Sequence, residues 1–280
     1  MDTFSRDALD FDVTDAGPPG GSPVVLLHGF PQTRETWAGV IPVLTAAGHR
    51  VLAPAQRGYS PRARPSGRSA YRLQELVADV LALADAAGAS TFHLVGHDWG
   101  GAVAWAVAAL APERLRSLTS VSTPHPRALA RSLATSGQAL RSWYMGAFQL
   151  PVVPDRLLLA GNGVLLRRSL QANGLGAEQA AAYVLAMRSP GALTAALNWY
   201  RALPLDLGAG QRIGRIRVPT LFVWGSRDAA LGRAAAEASG RWVHAPYRFE
   251  ALEGVSHWLP EQEPDRLARL VIEHAAAAGG

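Results

Sequence analysis

Short apolar runs alternate with segments of helical period along most of this chain. Val24–Leu27 is a run of valine and leucine ending at His28-Gly29, and Arg50–Pro54 is a second run of strand length. Between Tyr71 and Ala87, residues Leu73, Leu76, Val77, Val80, Leu81 and Ala84 recur at the spacing of one helix face, and Gly88 marks the stop. Thr91–Val95 then predicts a strand, Ala102–Ala111 a helix closed by Pro112, and Leu115–Val121 another strand. The strand signal returns only at Thr220–Trp224 and Tyr247–Leu252, ahead of an amphipathic helix over Asp265–Ala278.

This rhythm predicts an α/β fold with a mostly parallel sheet covered on both faces by helices. From Pro126 to about Arg217 the strand signal is missing, and Pro151, Pro154, Gly161, Gly174, Pro190 and Pro204 break the stretch into several helices. We therefore expect a core from residues 1–125 and 218–280, with 126–217 inserted as a helical cap.

Composition narrows the class. The 280 residues are 49% hydrophobic, enough for a large core, which excludes a disordered chain. Cysteine is absent, so disulfides, thiolate metal sites and thiol nucleophiles are excluded. The first residues carry Asp2, Asp7, Asp10, Asp12 and Asp15 and no apolar run, and no segment reaches the ~18 apolar residues of a membrane span. A cytoplasmic protein without a membrane partner is the expectation. The net charge is +5, with arginine as the basic residue throughout, and Arg57, Arg62, Arg64, Arg68 and Arg72 lie close together. Their Pro- and Gly-rich surroundings read as a solvated loop, and no nucleic-acid-binding motif accompanies them.

The sharpest local feature is Gly96-His97-Asp98-Trp99-Gly100-Gly101, which follows a predicted strand and opens a predicted helix. Small residues around the central position permit a tight strand-to-helix turn that pushes the middle side chain outward, the geometry of a nucleophile elbow. The central residue is Asp98 rather than serine, and a carboxylate also serves in covalent catalysis. The competing reading is a glycine-rich turn in which Asp98 caps the helix. His28-Gly29-Phe30-Pro31 follows an earlier strand like an oxyanion-hole loop, and Asp228 and His257 follow the last two strands. Nucleophile, acid and histidine thus occur in the order expected of such a sheet.

These motifs (HGFP at His28–Pro31, GHDWGG at Gly96–Gly101, WGSRD ending at Asp228 and GVSHW containing His257) resemble the epoxide hydrolase family of the α/β-hydrolase fold, over nearly the whole chain. Ser142-Trp143-Tyr144 and Asn198-Trp199-Tyr200-Arg201 match its two cap tyrosines. The resemblance implies that Asp98 is the nucleophile, that Asp228 and His257 activate water, and that Tyr144 and Tyr200 protonate the epoxide oxygen. It further implies that the backbone N–H groups of Phe30 and Trp99 form the oxyanion hole. Pro31, His125, Trp143, Phe148, Trp199 and Trp258 are expected to line an apolar pocket. The implied partners are a small epoxide and water, with no cofactor and no metal. The family often has Asp where Ala55 stands.

A haloalkane or haloacid dehalogenase uses the same nucleophile and is the alternative. Phe30 has no side-chain donor for a halide, and the arginine-bearing pattern of fluoroacetate dehalogenases is missing after Asp98. A non-catalytic ligand-binding protein would tend to have lost part of the triad. His49, His93, His97, His244 and His274 carry no motif and are expected to be structural or exposed.

Overall fold

The strands of this computed structural model, which describes residues 1–206 and 213–279, are β1 (Thr3–Arg6), β2 (Leu9–Ala16), β3 (Pro23–Leu27), β4 (Arg50–Pro54), β5 (Phe92–His97), β6 (Leu115–Val121), β7 (Thr220–Gly225) and β8 (Tyr247–Leu252). They form one sheet in the order β1-β2-β4-β3-β5-β6-β7-β8. All neighbours from β4 to β8 pair in parallel, whereas β1–β2 and β2–β4 are antiparallel. The fold class expected from the sequence, α/β with a mostly parallel sheet, is observed.

Burial explains why the central strands read as unbroken apolar runs. In β3, Val25 and Leu27 enter the core on one face, and Val24 and Leu26 enter the core on the other. Helices α1 (Ile41–Ala46), α2 (Leu73–Ala86), α3 (Trp99–Leu110) and α12 (Pro264–Ala278) cover the two faces. Leu76, Val80 and Val103 supply the first core; Leu44, Leu267 and Val271 supply the second. A strand covered on both sides has no polar face to alternate.

The antiparallel hairpin of β1 and β2 is absent from the sequence reading. Its only fully apolar anchors are Phe4, Phe11 and Val13, interleaved with acidic residues, and Phe4 stacks on Phe11 at 4.6 Å between ring centroids. An edge hairpin that faces solvent carries too weak a pattern to stand out.

Between β6 and β7 the described residues contain helices and no named strand: α4 (Pro126–Thr135), α5 (Gln138–Arg141), α6 (Trp143–Ala147), α7 (Val153–Ala172), α8 (Ala177–Met187) and α9 (Ala192–Ala202). Pro154 lies in the first turn of α7, where a missing N–H does no harm. Residues Gly161, Asn162 and Gly163 take positive φ and kink α7. Of the expected 126–217 insertion, residues 207–212 lie outside the described residues. Two further helices are short: α10 (Arg233–Ala238) follows β7, and α11 (Leu259–Gln262) leads into α12.

The arginine-rich loop is only partly the solvated segment expected: Arg62 and Arg68 are exposed, whereas Arg57, Arg64 and Arg72 are engaged. Arg57 is 4% exposed and binds Asp79 through two hydrogen bonds of 2.7 Å, while Arg6 reaches the same carboxylate. Arg64 donates to the carbonyls of Gly58 and Tyr59, and Arg72 pairs with Asp206. The loop folds back over α2, so its guanidinium groups satisfy buried carboxylates and carbonyls.

The sheet positions the site through close backbone approach. A Cβ on Gly100 would run into the carbonyl oxygen of Leu27, and one on Gly96 into that of Gly100. Helix α3 therefore enters directly against the ends of β3 and β5. We expect Gly100→Ala to lower the urea midpoint by an amount equivalent to roughly 1–3 kcal/mol, the usual cost of forcing a methyl into a packed interior.

Candidate active site

Six chain segments meet at the carboxyl ends of the central strands, where open α/β sheets bind ligands. Phe30 follows β3, Asp98 follows β5, Asp228 follows β7 and His257 follows β8. Helices α6 and α9 bring Tyr144 and Tyr200.

Asp98 has φ 52° and ψ −120°, a left-handed conformation rare for a residue with a Cβ. Its carbonyl accepts from Ala102 N–H at 3.1 Å and from Thr123 Oγ1 at 2.7 Å, which ties the turn to α3 and to the loop after β6. The side chain makes no capping hydrogen bond to α3. Instead Oδ1 accepts from the Phe30 N–H at 2.7 Å, and Oδ2 lies 3.4 Å from His257 Nε2. Gly29 is required beside it, because a Cβ there would collide with the Asp98 carboxyl. The Trp99 N–H, at the first position of α3, has no acceptor one turn back within the helix.

His257 Nδ1 lies 2.7 Å from Asp228 Oδ2. The other Asp228 oxygen accepts from the N–H groups of Ala230 and Leu231, both at 2.8 Å, so this buried carboxylate is fixed on both sides. Burial works against charge on His257, yet Asp228 and Asp98 outweigh it and push the imidazole up to about 10. Burial likewise works against the Asp98 carboxylate, and hydrogen bonding and attraction to His257 reverse that, holding Asp98 below its ordinary range. The resting centre is thus an imidazolium between two carboxylates.

Tyr144 and Tyr200 face this centre from the helices. Burial first, then the charge of Asp98, raises both phenols well above the ordinary tyrosine value. Both are therefore neutral hydrogen-bond donors at neutral pH. The Trp99 ring packs edge-on against Tyr200 at 4.9 Å and Trp199 at 5.7 Å. Phe148 packs against Phe30 at 5.8 Å, Tyr144 at 5.7 Å and Tyr200 at 5.0 Å. Edge-on aromatic contacts of this kind join α6 and α9 to the core loops.

The other expected pocket residues divide. Trp199 lies in the aromatic cluster and donates to the Arg57 carbonyl at 2.9 Å. Trp258 packs at right angles to His257 at 5.2 Å and donates to the Asn173 carbonyl. Pro31 is buried in the loop after β3, next to Phe30 through a cis peptide bond. Trp143 is a correction: it is 71% exposed, because α6 turns Tyr144 and Phe148 inward and its neighbour outward. His125 is a second correction. Its ring accepts from Arg127 N–H to cap α4, contacts the Gly214 carbonyl and packs between Trp105 and Trp242. Those partners hold it as a structural cap.

His97 is structural, as expected, but lies closer to the chemistry than its lack of a motif suggests. It is buried, with Nδ1 2.7 Å from Gln32 Oε1 and Nε2 2.8 Å from the His257 carbonyl, so it braces the triad histidine from behind. Its adjacency to Asp98 was the available signal. Tyr59 is a further buried phenol raised by burial and by the charge of Asp98, edge-on to His28 at 4.4 Å. Among the described residues no group of three or more His, Asp or Glu side chains is arranged to hold a metal ion, and no helix is long and apolar enough to cross a membrane.

With this geometry established, comparison with known proteins is informative. Residues 22–264 match the family model of the alpha/beta hydrolase fold. The chain is 34% identical over 276 residues to the AB hydrolase superfamily protein YfhM of Bacillus subtilis, covering 96% of each. It is 30% identical to epoxide hydrolase A of Mycobacterium tuberculosis, covering 93% of this chain and 92% of the relative. The crystal structure of epoxide hydrolase VrEH1 from Vigna radiata superposes with a TM-score of 0.85 at 25% identity, covering 98% of this chain and 97% of that one.

The raised imidazole links protonation to stability. Because His257 holds its proton up to about 10 when folded, against 6.5 for the free side chain, its stabilising contribution is complete below ~6.5 and disappears as pH rises through about 10. We expect the urea midpoint to fall across this window, and His257→Gln to flatten that fall.

Proposed function

This chain belongs to the α/β-hydrolase fold family, among its epoxide hydrolases, and we propose that it converts an epoxide to a vicinal diol through an ester formed on Asp98. The observation that carries the reading is the placing of two neutral phenols, Tyr200 buried and Tyr144 partly so, over a carboxylate that is ionised and aimed away from its own helix.

An epoxide combines a strained ring with a poor leaving group, an alkoxide. Opening it needs a nucleophile at carbon and a proton at oxygen. Asp98 attacks a ring carbon, the carbon–oxygen bond breaks, and Tyr144 or Tyr200 gives its proton to the leaving oxygen. A phenol is intrinsically a far stronger acid than an alkanol.

Esterification then changes the electrostatics. The Asp98 negative charge disappears, so one of the two carboxylates holding the His257 proton is lost. His257 becomes a weaker acid-holder, its proton returns to the phenoxide, and the neutral imidazole is left to act as base. It takes a proton from water, which attacks the ester carbonyl carbon while Asp228 steadies the ring. The Phe30 N–H, already bonded to Asp98 Oδ1, and the Trp99 N–H receive the oxyanion. Each such donor is worth about a hundredfold to a thousandfold in rate. Collapse of the tetrahedral intermediate releases the diol and restores the carboxylate.

The dehalogenase alternative fits less well. Trp99 packs its ring against Tyr200, and Phe30 has only its backbone to offer, so the polar groups facing Asp98 suit an oxygen leaving group. The rings of Trp99, Trp199, Phe148 and Phe30 favour an apolar or aromatic epoxide. We take residues 126–217 as the cap that presents both tyrosines to a core of residues 1–125 and 218–280.

His257→Gln is expected to accumulate the Asp98 ester, seen by intact mass as protein plus one substrate molecule. Tyr144→Phe and Tyr200→Phe are each expected to slow ester formation by roughly a hundredfold, as removal of a general acid does. Stoichiometric halide release from alkyl halides, with no diol from epoxides, would favour the alternative.

A further inference from the structure

Glu261 lies on α11, four residues after His257, half-buried with its carboxyl turned inward. Its Oε1 accepts from three donors at 2.7 Å each: Gln32 Nε2, Thr36 Oγ1 and the Tyr183 hydroxyl. Its Oε2 is buried with no hydrogen-bond partner. Burial raises the carboxyl, and a proton on Oε2 leaves the three contacts to Oε1 intact.

Gln32 connects this acid to the reacting groups. An amide side chain has a donor end and an acceptor end, and its partners decide which way round it lies. Because the end facing Glu261 and Thr36 must be the NH2, the opposite end must be the oxygen. That oxygen accepts from the Gly29 N–H at 3.0 Å and contacts His97 Nδ1 at 2.7 Å. Gly29 precedes the peptide whose N–H grips Asp98, and His97 in turn touches the His257 carbonyl. Turning the amide over would set an NH2 against the Gly29 N–H and loosen the loop. Tyr183 on α8 ties the helical insertion to the same oxygen.

We propose that Glu261 is a positioning residue for ester hydrolysis: by fixing the orientation of Gln32, it holds the Phe30 N–H where the oxyanion forms. This rests on the covalent role of Asp98 proposed above. The effect is specific to one half of the reaction. Ester formation places no new charge on the Phe30 N–H, whereas hydrolysis builds a full oxyanion against it.

Single-turnover kinetics with an aryl epoxide, following ester by quenched intact mass and diol by chromatography, separate the two steps. Glu261→Leu should slow hydrolysis by roughly tenfold or more, so that ester accumulates, and should change ester formation by less than about threefold. Glu261→Gln retains an acceptor oxygen and should stay within about threefold of the parent in both steps. Gln32→Leu removes the same strap from the loop end and should reproduce the split if Glu261→Leu fails to fold. The proposal is overturned if both steps slow equally, or if Glu261→Gln is as slow as Glu261→Leu. His257→Gln is the control. If it accumulates ester and neither Glu261→Leu nor Gln32→Leu does, the positioning role alone falls. If it forms none, the covalent reading and the positioning role fall together.

Discussion

A carboxylate held in a left-handed backbone turn, gripped on one oxygen by the Phe30 N–H and faced on the other by an imidazolium, is the constraint that organises this molecule. A conformation of that kind costs of order 1–3 kcal/mol and persists only where its surroundings over-determine it. Here they do. Gly29, Gly96 and Gly100 let three backbones approach one another, and Thr123 anchors the Asp98 carbonyl from the loop after β6. The parallel sheet, with both faces covered, is the rigid frame that keeps those ends in register.

Charge then organises the chemistry. Burial alone would neutralise Asp98 and His257, and each instead stabilises the other's ionised form, with Asp228 held immobile by two backbone N–H groups. Under the proposed mechanism the steps follow in order: while Asp98 is charged, His257 keeps its proton, and esterification of Asp98 would let the imidazole release it. The phenols of Tyr144 and Tyr200 are raised by the same charge, so they remain donors.

Much of this was legible in the sequence because it depends on local pattern. The central strands announce themselves as unalternated apolar runs, and the elbow announces itself through its glycines. The β1–β2 hairpin was not legible, since a half-exposed edge with three apolar anchors gives little periodicity. Trp143 looked like a pocket residue because it adjoins Tyr144, but a helix rotates each neighbour by about 100°, and here that carries Trp143 out to solvent. His125 sat at the right place in the chain, yet both ring nitrogens are used by backbone partners elsewhere. Glu261 was invisible for the opposite reason: its importance comes from contacts spanning much of the chain, such as that with Gln32, which no short motif records.

The central claim is that the substrate becomes bonded to Asp98 before water takes part. A single turnover in water enriched in heavy oxygen, with enzyme in excess over epoxide, tests it most directly. The account predicts an unlabelled first diol and one heavy oxygen left in the Asp98 carboxylate, located by peptide mass spectrometry. Heavy oxygen in the first diol, with Asp98 unlabelled, would mean that water attacks the epoxide directly and would contradict the account.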